Sequence, residues 1–122
     1  MSLHDDRAES LTTDQAFDLL GDGTRRRALA TLQAADGAMA LGELAEETVA
    51  RAEDAAPEAV PADRRKRTAA SLHHCHLPKL DDAGVVAYDS TANLVEATGG
   101  VEQLEPYFEL IESETIAGAR SD

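Results

Sequence analysis

With 122 residues, the chain can build one domain around a modest core and is too short for two. It carries 24 Asp/Glu against 11 Lys/Arg, a formal charge of -13, and aromatics make up only 3% of its residues, with no Trp. The single Cys75 excludes an intrachain disulfide, the polar stretch from Met1 to Ser10 does not read as a signal peptide, and no apolar run approaches the ~18 residues of a membrane span.

These balances set expectations about surroundings. A core of Ala, Leu and Val buries little area per side chain, so a homodimer is the simplest source of further stability. The protein is expected to be soluble and cytoplasmic. Abundant carboxylates, many Ala and only two lysines, Lys66 and Lys79, resemble the composition of proteins from salt-loving archaea. A Debye length of about 3 Å at 1 M salt makes so acidic a surface tolerable, and bound salt ions would accompany it. An ordinary acidic protein is the plainer alternative.

In chain order, residues 1–11 read as a polar tail. Thr12 with Gln15 forms a capping-box pattern that predicts a helix over 13–20, with Ala16, Phe17, Leu19 and Leu20 on its apolar side. Gly21-Asp22-Gly23 breaks the chain. A second helix is predicted over 24–35, with Ala28, Leu29, Leu32 and Ala35 at helical spacing. Arg25, Arg26 and Arg27 fall in its first turn, where a cation opposes the helix dipole, so a ligand or an acidic neighbour is one explanation and a solvated helix end the other. Residues 38–40 fit a short strand. A third helix over 41–54 turns Leu41, Leu44, Ala45 and Val49 inward, although Ala40 is a poor cap. Pro57 and Pro61 punctuate a loose segment over 55–63.

The most informative stretch follows. From Arg64 to Leu80 there are five Lys/Arg and no Asp or Glu, so this is a basic island in an acidic chain. A helix is predicted from Ala62, burying Ala69, Leu72, His76 and Leu80 and placing His73 and Leu77 at the edge. Pro78 should kink or loosen its last turns, and Gly84 suits a left-handed cap. Val85 to Tyr88 and Asn93 to Ala97 read as a hairpin, Gly99-Gly100 as a break, and residues 105–118 as an amphipathic helix with Pro106 in its first turn.

Helix, short strand, helix, basic helix and hairpin is the order of a winged helix-turn-helix. The fold class expected is mainly α with a small β-hairpin, a winged helix-turn-helix spanning 12–98 with extra terminal helices, 99–122 holding the C-terminal dimerisation helix and a tail. Arg64, Arg65, Lys66 and Arg67 are candidates for DNA contact, too numerous to be all base readers, so some should hold phosphates along with Thr68 and with Arg25, Arg26 and Arg27. Arg67, Ser71 and His74 share the face opposite Ala69 and Leu80 and are best aimed at DNA. The hairpin carries no Lys or Arg, which leaves Ser90, Thr91 and Asn93 for backbone contact. The plainer reading is a surface helix that pairs with the protein's own acids.

Other constellations are weaker. His73 and His76 stand at i and i+3, but their face is the core-facing one, and outside the cluster only His4 adds a ligand of this kind, so no metal is expected. Cys75 reads as a small half-buried side chain, with intermolecular redox chemistry as the sharper alternative. No nucleophile–base pair or phosphate loop points to an enzyme or a cofactor. Leu104, Phe108, Ile111 and Thr115 have the spacing of a helix-pair seam and are expected to form a dimer interface.

Three segments carry a family likeness: Leu19-Leu20 with Thr24-Arg25-Arg26-Arg27-Ala28-Leu29, then Leu44-Ala45-Glu46, then Ser71 to Val86. The chain resembles haloarchaeal winged-helix transcription regulators, most specifically in Leu72-His73-His74-Cys75-His76-Leu77-Pro78-Lys79-Leu80 followed by Ala83-Gly84-Val85-Val86. The resemblance implies a homodimeric regulator that binds double-stranded DNA, with dimer contacts from terminal helices and a role in the response to oxidative stress. A protein-interaction module that holds an acidic partner is the alternative function.

Overall fold

Residues 11–111 are described by the structure, a computed structural model. Helix α1 (Thr13–Leu20) opens on the expected capping box: Thr12 Oγ1 accepts from the Gln15 N–H at 3.0 Å, and Gln15 Oε1 accepts from the Thr12 N–H at 2.9 Å. A two-residue corner leads to α2 (Gly23–Ala34), capped by Asp22, whose Oδ1 accepts from the Thr24 and Arg25 N–H groups.

This corner explains the arginine cluster. The last carbonyls of a helix have no partner within it, and its C-terminal dipole favours a cation. Arg25 reaches back to supply both: Nε donates to Leu19 O at 2.8 Å and Nη2 to Asp18 O at 2.9 Å. Its Nη1 donates to His76 Nδ1 at 3.2 Å, and Arg26 Nη1 donates to Leu20 O. Cations that oppose the dipole of α2 thus satisfy that of α1. Arg25 is only 8% exposed.

Strand β1 (Met39–Ala40) runs directly into α3 (Leu41–Glu53). Ala40 provides no side-chain cap, but the Leu41 N–H donates to Asn93 O at 2.9 Å, so the sheet partly replaces one. The helix ends on Asp54 in a left-handed conformation. The segment to the next helix contains a 3₁₀ turn (Pro57–Ala59) and is pinned by Val60, which packs with Val49 and Ala50 in a small second cluster.

The basic segment forms one composite helix: α4 (Ala62–Ser71), a π-helical turn (Leu72–His76) and α5 (Leu77–Asp82). Pro78 has no N–H to give and its ring crowds the carbonyl four residues back. The wider turn just before it, closed by Leu77 N–H to Leu72 O, accommodates both effects. The extra residue rotates the face that follows, so Leu77, expected at the edge, is fully buried beside Leu72, His76 and Leu80.

Gly84 takes the left-handed conformation (φ 81°) that turns the chain into β2 (Val86–Asp89), which pairs with β3 (Leu94–Ala97). Asp89 Oδ1 accepts from the Thr91 and Ala92 N–H groups in the connecting turn. β1 also pairs with β3, giving a three-stranded antiparallel sheet of order β1-β3-β2 on a mainly helical body. Gly99-Gly100, expected as a break, instead begins a 3₁₀ helix (Gly99–Leu104) because Thr98 caps it through the Gly100 N–H. A Cβ on Gly100 would lie 2.3 Å from Gly84 O, so only glycine lets this segment close over the turn.

Helix α6 covers residues 105–111 and packs on α1: Phe17 and Tyr107 meet edge to face, 5.2 Å between centroids. Leu104 was expected to face a second subunit, yet it is fully buried with Val101 in the core shared by α1, α2, α3 and the sheet, and Phe108 and Ile111 pack partly on that core. Helical spacing alone does not distinguish the two destinations. Thr115, the rest of the predicted helix and residues 1–10 of the expected tail lie outside the described residues. Among the described residues no helix is long and apolar enough to cross a membrane.

Replacing Arg25 by Lys retains the charge but not the three-way fork. Arg25→Lys is expected to lower unfolding stability by about 2–3 kcal/mol by stranding buried acceptors, measured by denaturant titration at fixed salt. A midpoint equal to that of the native chain would contradict the role given to Arg25.

Candidate nucleic-acid interface

On α4 the helical period divides the cations. Arg64, Arg65 and Thr68 are half-buried toward α3, whereas Lys66, Arg67, Ala70, Ser71 and His74 face solvent. Arg64 pairs with Glu53, and Arg65 Nη1 lies 3.5 Å from Glu46 Oε2, both acids belonging to α3. Arg67 Nη2 is 3.8 Å from Asp63 Oδ2, with both side chains more than 70% exposed, a contact of little energetic weight. Lys66 has no ion-pair partner among the described residues.

The sequence therefore located the solvent face of α4 through Arg67, Ser71 and His74, and missed Ala70, which continues that face at helical spacing and leaves room for close approach. Glu46 and Glu53 carry no local signal, because their partners come from a separate helix.

Arg25, grouped above with the DNA contacts, is withdrawn from the surface by its bonds inside the α1–α2 corner. Arg26 is half-buried and engaged at the same corner, and the Arg27 guanidinium folds against Gly23, with its Nε buried and without a hydrogen-bond partner. Arg25 meets the composite helix at His76, about 15 Å along the axis from the Arg64–Arg67 end. Arg25 and Arg26 thus serve the α1–α2 corner.

The π-turn sends its side chains to separate partners. His73 Nδ1 lies 2.7 Å from Tyr88 Oη, fixing the helix to β2. His76 is buried, and since a guanidinium has no acceptor, its Nδ1 must be the unprotonated ring nitrogen facing Arg25. His74 is exposed, and so is Cys75, which had been expected to be half-buried. Lys79 Nζ reaches Asp18 Oδ2 at 2.7 Å, tying α5 to the end of α1.

The hairpin offers Ser90, Thr91 and Asn93 to solvent but also Asp89, Glu96 and a 42% exposed Leu94. Its edge strand is partly closed, because Asp81 Oδ2 accepts from the Tyr88 N–H at 2.9 Å.

Residues 17–96 match the model of a domain of unknown function, DUF7344. The chain belongs to that family. No curated protein matches the chain, and no solved structure does. The DUF7344 match begins at Phe17 within α1 and ends at Glu96 within β3, so it contains α2, the composite helix and most of the hairpin. The 3₁₀ helix and α6, which complete the core against α1, lie beyond it.

Within the DUF7344 region, burial lowers the proton affinity of His76. Nearby Asp22 opposes that shift, whereas Arg25 and Lys79 reinforce it. The unfolded imidazole protonates near pH 6.5 and the folded one only at lower pH, so the stability due to neutral His76 is complete above about 6.5 and is lost as pH falls below it. Asp18 and Asp22, both held below the ordinary 3.8, titrate outside this window: Lys79 lowers the pKa of Asp18, and at Asp22 burial is outweighed by the Arg25 and Thr24 N–H groups together with nearby His76 and the Arg25 charge. Denaturant midpoints at pH 7.5 and 5.5 should show a drop that His76→Gln, which keeps an acceptor but does not titrate, makes smaller. An equal drop in both proteins would contradict this assignment.

Proposed function

We propose that this protein is a homodimeric, DNA-binding transcription regulator built as a winged helix-turn-helix. The observation that carries the reading is the solvent face of the composite helix: Lys66, Arg67, Ala70, Ser71 and His74 lie on it in a stretch without acids, in a chain of formal charge -13. Such a face combines phosphate-holding cations with hydrogen-bonding groups at base-reading positions. The order α2, β1, α3, composite helix, β2, β3, with β3 central in the sheet, supports a winged arrangement with the composite helix as reader. Two departures bear on how it would dock. The α3–α4 connection is longer than the usual helix-turn-helix turn, and the wing has no cation, so the reader helix carries most of the recognition.

The dimer is supported by Phe17 and Leu110, 44% and 54% exposed on the packed pair α1 and α6. Among the described residues of this helix pair, these side chains rather than Leu104 are the large apolar groups open to a second subunit. Acid-rich composition supports operation at molar salt, where phosphate attraction is weak and directed Arg contacts matter more. The resemblance to haloarchaeal regulators extends the proposal to the oxidative-stress response.

A second reading, an interaction module for an acidic protein, is favoured by one observation: Arg64 and Arg65 already bind carboxylates. Fluorescence anisotropy with a duplex from the region upstream of the gene, a scrambled duplex and polyglutamate separates the two. Lys66→Ala with Arg67→Ala is expected to weaken duplex binding about tenfold or more and to reduce the salt slope by about 2. Unchanged duplex affinity in the double variant would overturn the reader assignment, and binding of polyglutamate alone would select the second reading.

A further inference from the structure

The two ion pairs between α3 and α4 are more than surface decoration if the reader helix meets phosphate. Arg64 and Glu53 side chains are 42% and 38% exposed, and those of Arg65 and Glu46 are 39% and 29% exposed. Each pair is open enough to solvent to contribute little and to break readily. Both carboxylates belong to the helix that packs against the basic end, so they remain close to any phosphate that Arg64 or Arg65 would take up. Arg67 differs, since its acidic neighbour lies on its own helix and the contact is long.

We propose that Glu46 and Glu53 are built-in competitors for DNA phosphate, regulating the affinity of the site assigned above and resting on that assignment. In dilute salt the pairs are intact, so Arg64 and Arg65 are already neutralised, and a phosphate that takes them up leaves the carboxylates of Glu53 and Glu46 unpaired beside it. As salt rises, screening weakens these pairs over the same range in which it weakens attraction to phosphate. The internal competition relaxes while the external attraction declines, and net affinity falls less steeply with salt than the number of arginines alone would dictate. For a chain with so large an acidic excess, this keeps binding within a workable range across large changes in ionic strength.

The test uses the full chain and a fluorescein-labelled duplex of arbitrary sequence, because the phosphate contribution does not depend on sequence. Binding is followed by anisotropy from 50 mM to 1 M KCl for the native chain and for Glu46→Gln with Glu53→Gln. A control, Glu102→Gln with Glu105→Gln, makes the same charge change beside the C-terminal end of α2. The competitor variant is expected to bind more tightly at 50 mM, with a steeper slope of log affinity against log salt, by up to about 1.8 for two added phosphate contacts. Its advantage should shrink by about tenfold on each fourfold rise in salt, while the control shows a smaller change. Equal slopes, an equal gain in the control, or weaker binding by the competitor variant would overturn the competition while leaving the DNA reading intact. No duplex binding by any of the three proteins would overturn both. A loss of folding in the variant is distinguished by its denaturant midpoint, and Glu46→Asp with Glu53→Asp, which keeps both charges, should retain the native slope.

Discussion

The guanidinium of Arg25 is the constraint on which the arrangement of helices depends. One planar group satisfies two carbonyls at the end of α1 and the unprotonated nitrogen of His76 in the π-turn, three acceptors from two parts of the chain. Because the acceptors are buried or partly buried, each would be costly to leave alone, and the geometry they share admits few substitutes. Through this fork the direction of α2 fixes both the helix before it and the composite helix that carries the solvent-facing cations. Lys79 to Asp18 adds a second tie at the same end, while His73 to Tyr88 secures the other side of the π-turn to the sheet.

The composite helix is therefore anchored through its C-terminal half and charged at its N-terminal half. The buried anchors are apolar groups, neutral His76 and the enclosed Arg25 fork, which tolerate wide variation in salt, whereas the exposed Lys79–Asp18 pair and Arg64 to Arg67 lie where screening acts strongly. This division allows the position of the helix to be set by contacts that salt hardly alters. On the proposed reading, affinity for DNA can then vary without moving the helix, with the acids of α3 as part of that adjustment.

Features encoded locally were legible in the sequence. Thr12 and Gln15 delimited α1, Gly84 marked the left-handed cap, and the helical period assigned Arg67, Ser71 and His74 to solvent because all three precede or barely enter the widened turn. Features that depend on distant partners were not. The acceptors of Arg25 include a residue 51 positions away, the start of α3 is completed by Asn93 from the hairpin, and Glu46 and Glu53 meet their arginines only after the helices pack. Pro78 announced a disturbance, but not that one inserted residue would carry Leu77 inward. Leu104 shows the same limit in another form, since an apolar spacing specifies that a face is covered and leaves open by what.

The central claim is that DNA is held by the outward face of α4 and the π-turn, and amide and side-chain NMR shifts on adding a short duplex test it most directly. The account predicts that the largest shifts fall on Lys66, Arg67, Ala70, Ser71 and His74, with the buried Arg25–His76 contact unchanged. Shifts confined to Phe17, Tyr107 and Leu110, or none at saturating duplex, would contradict it.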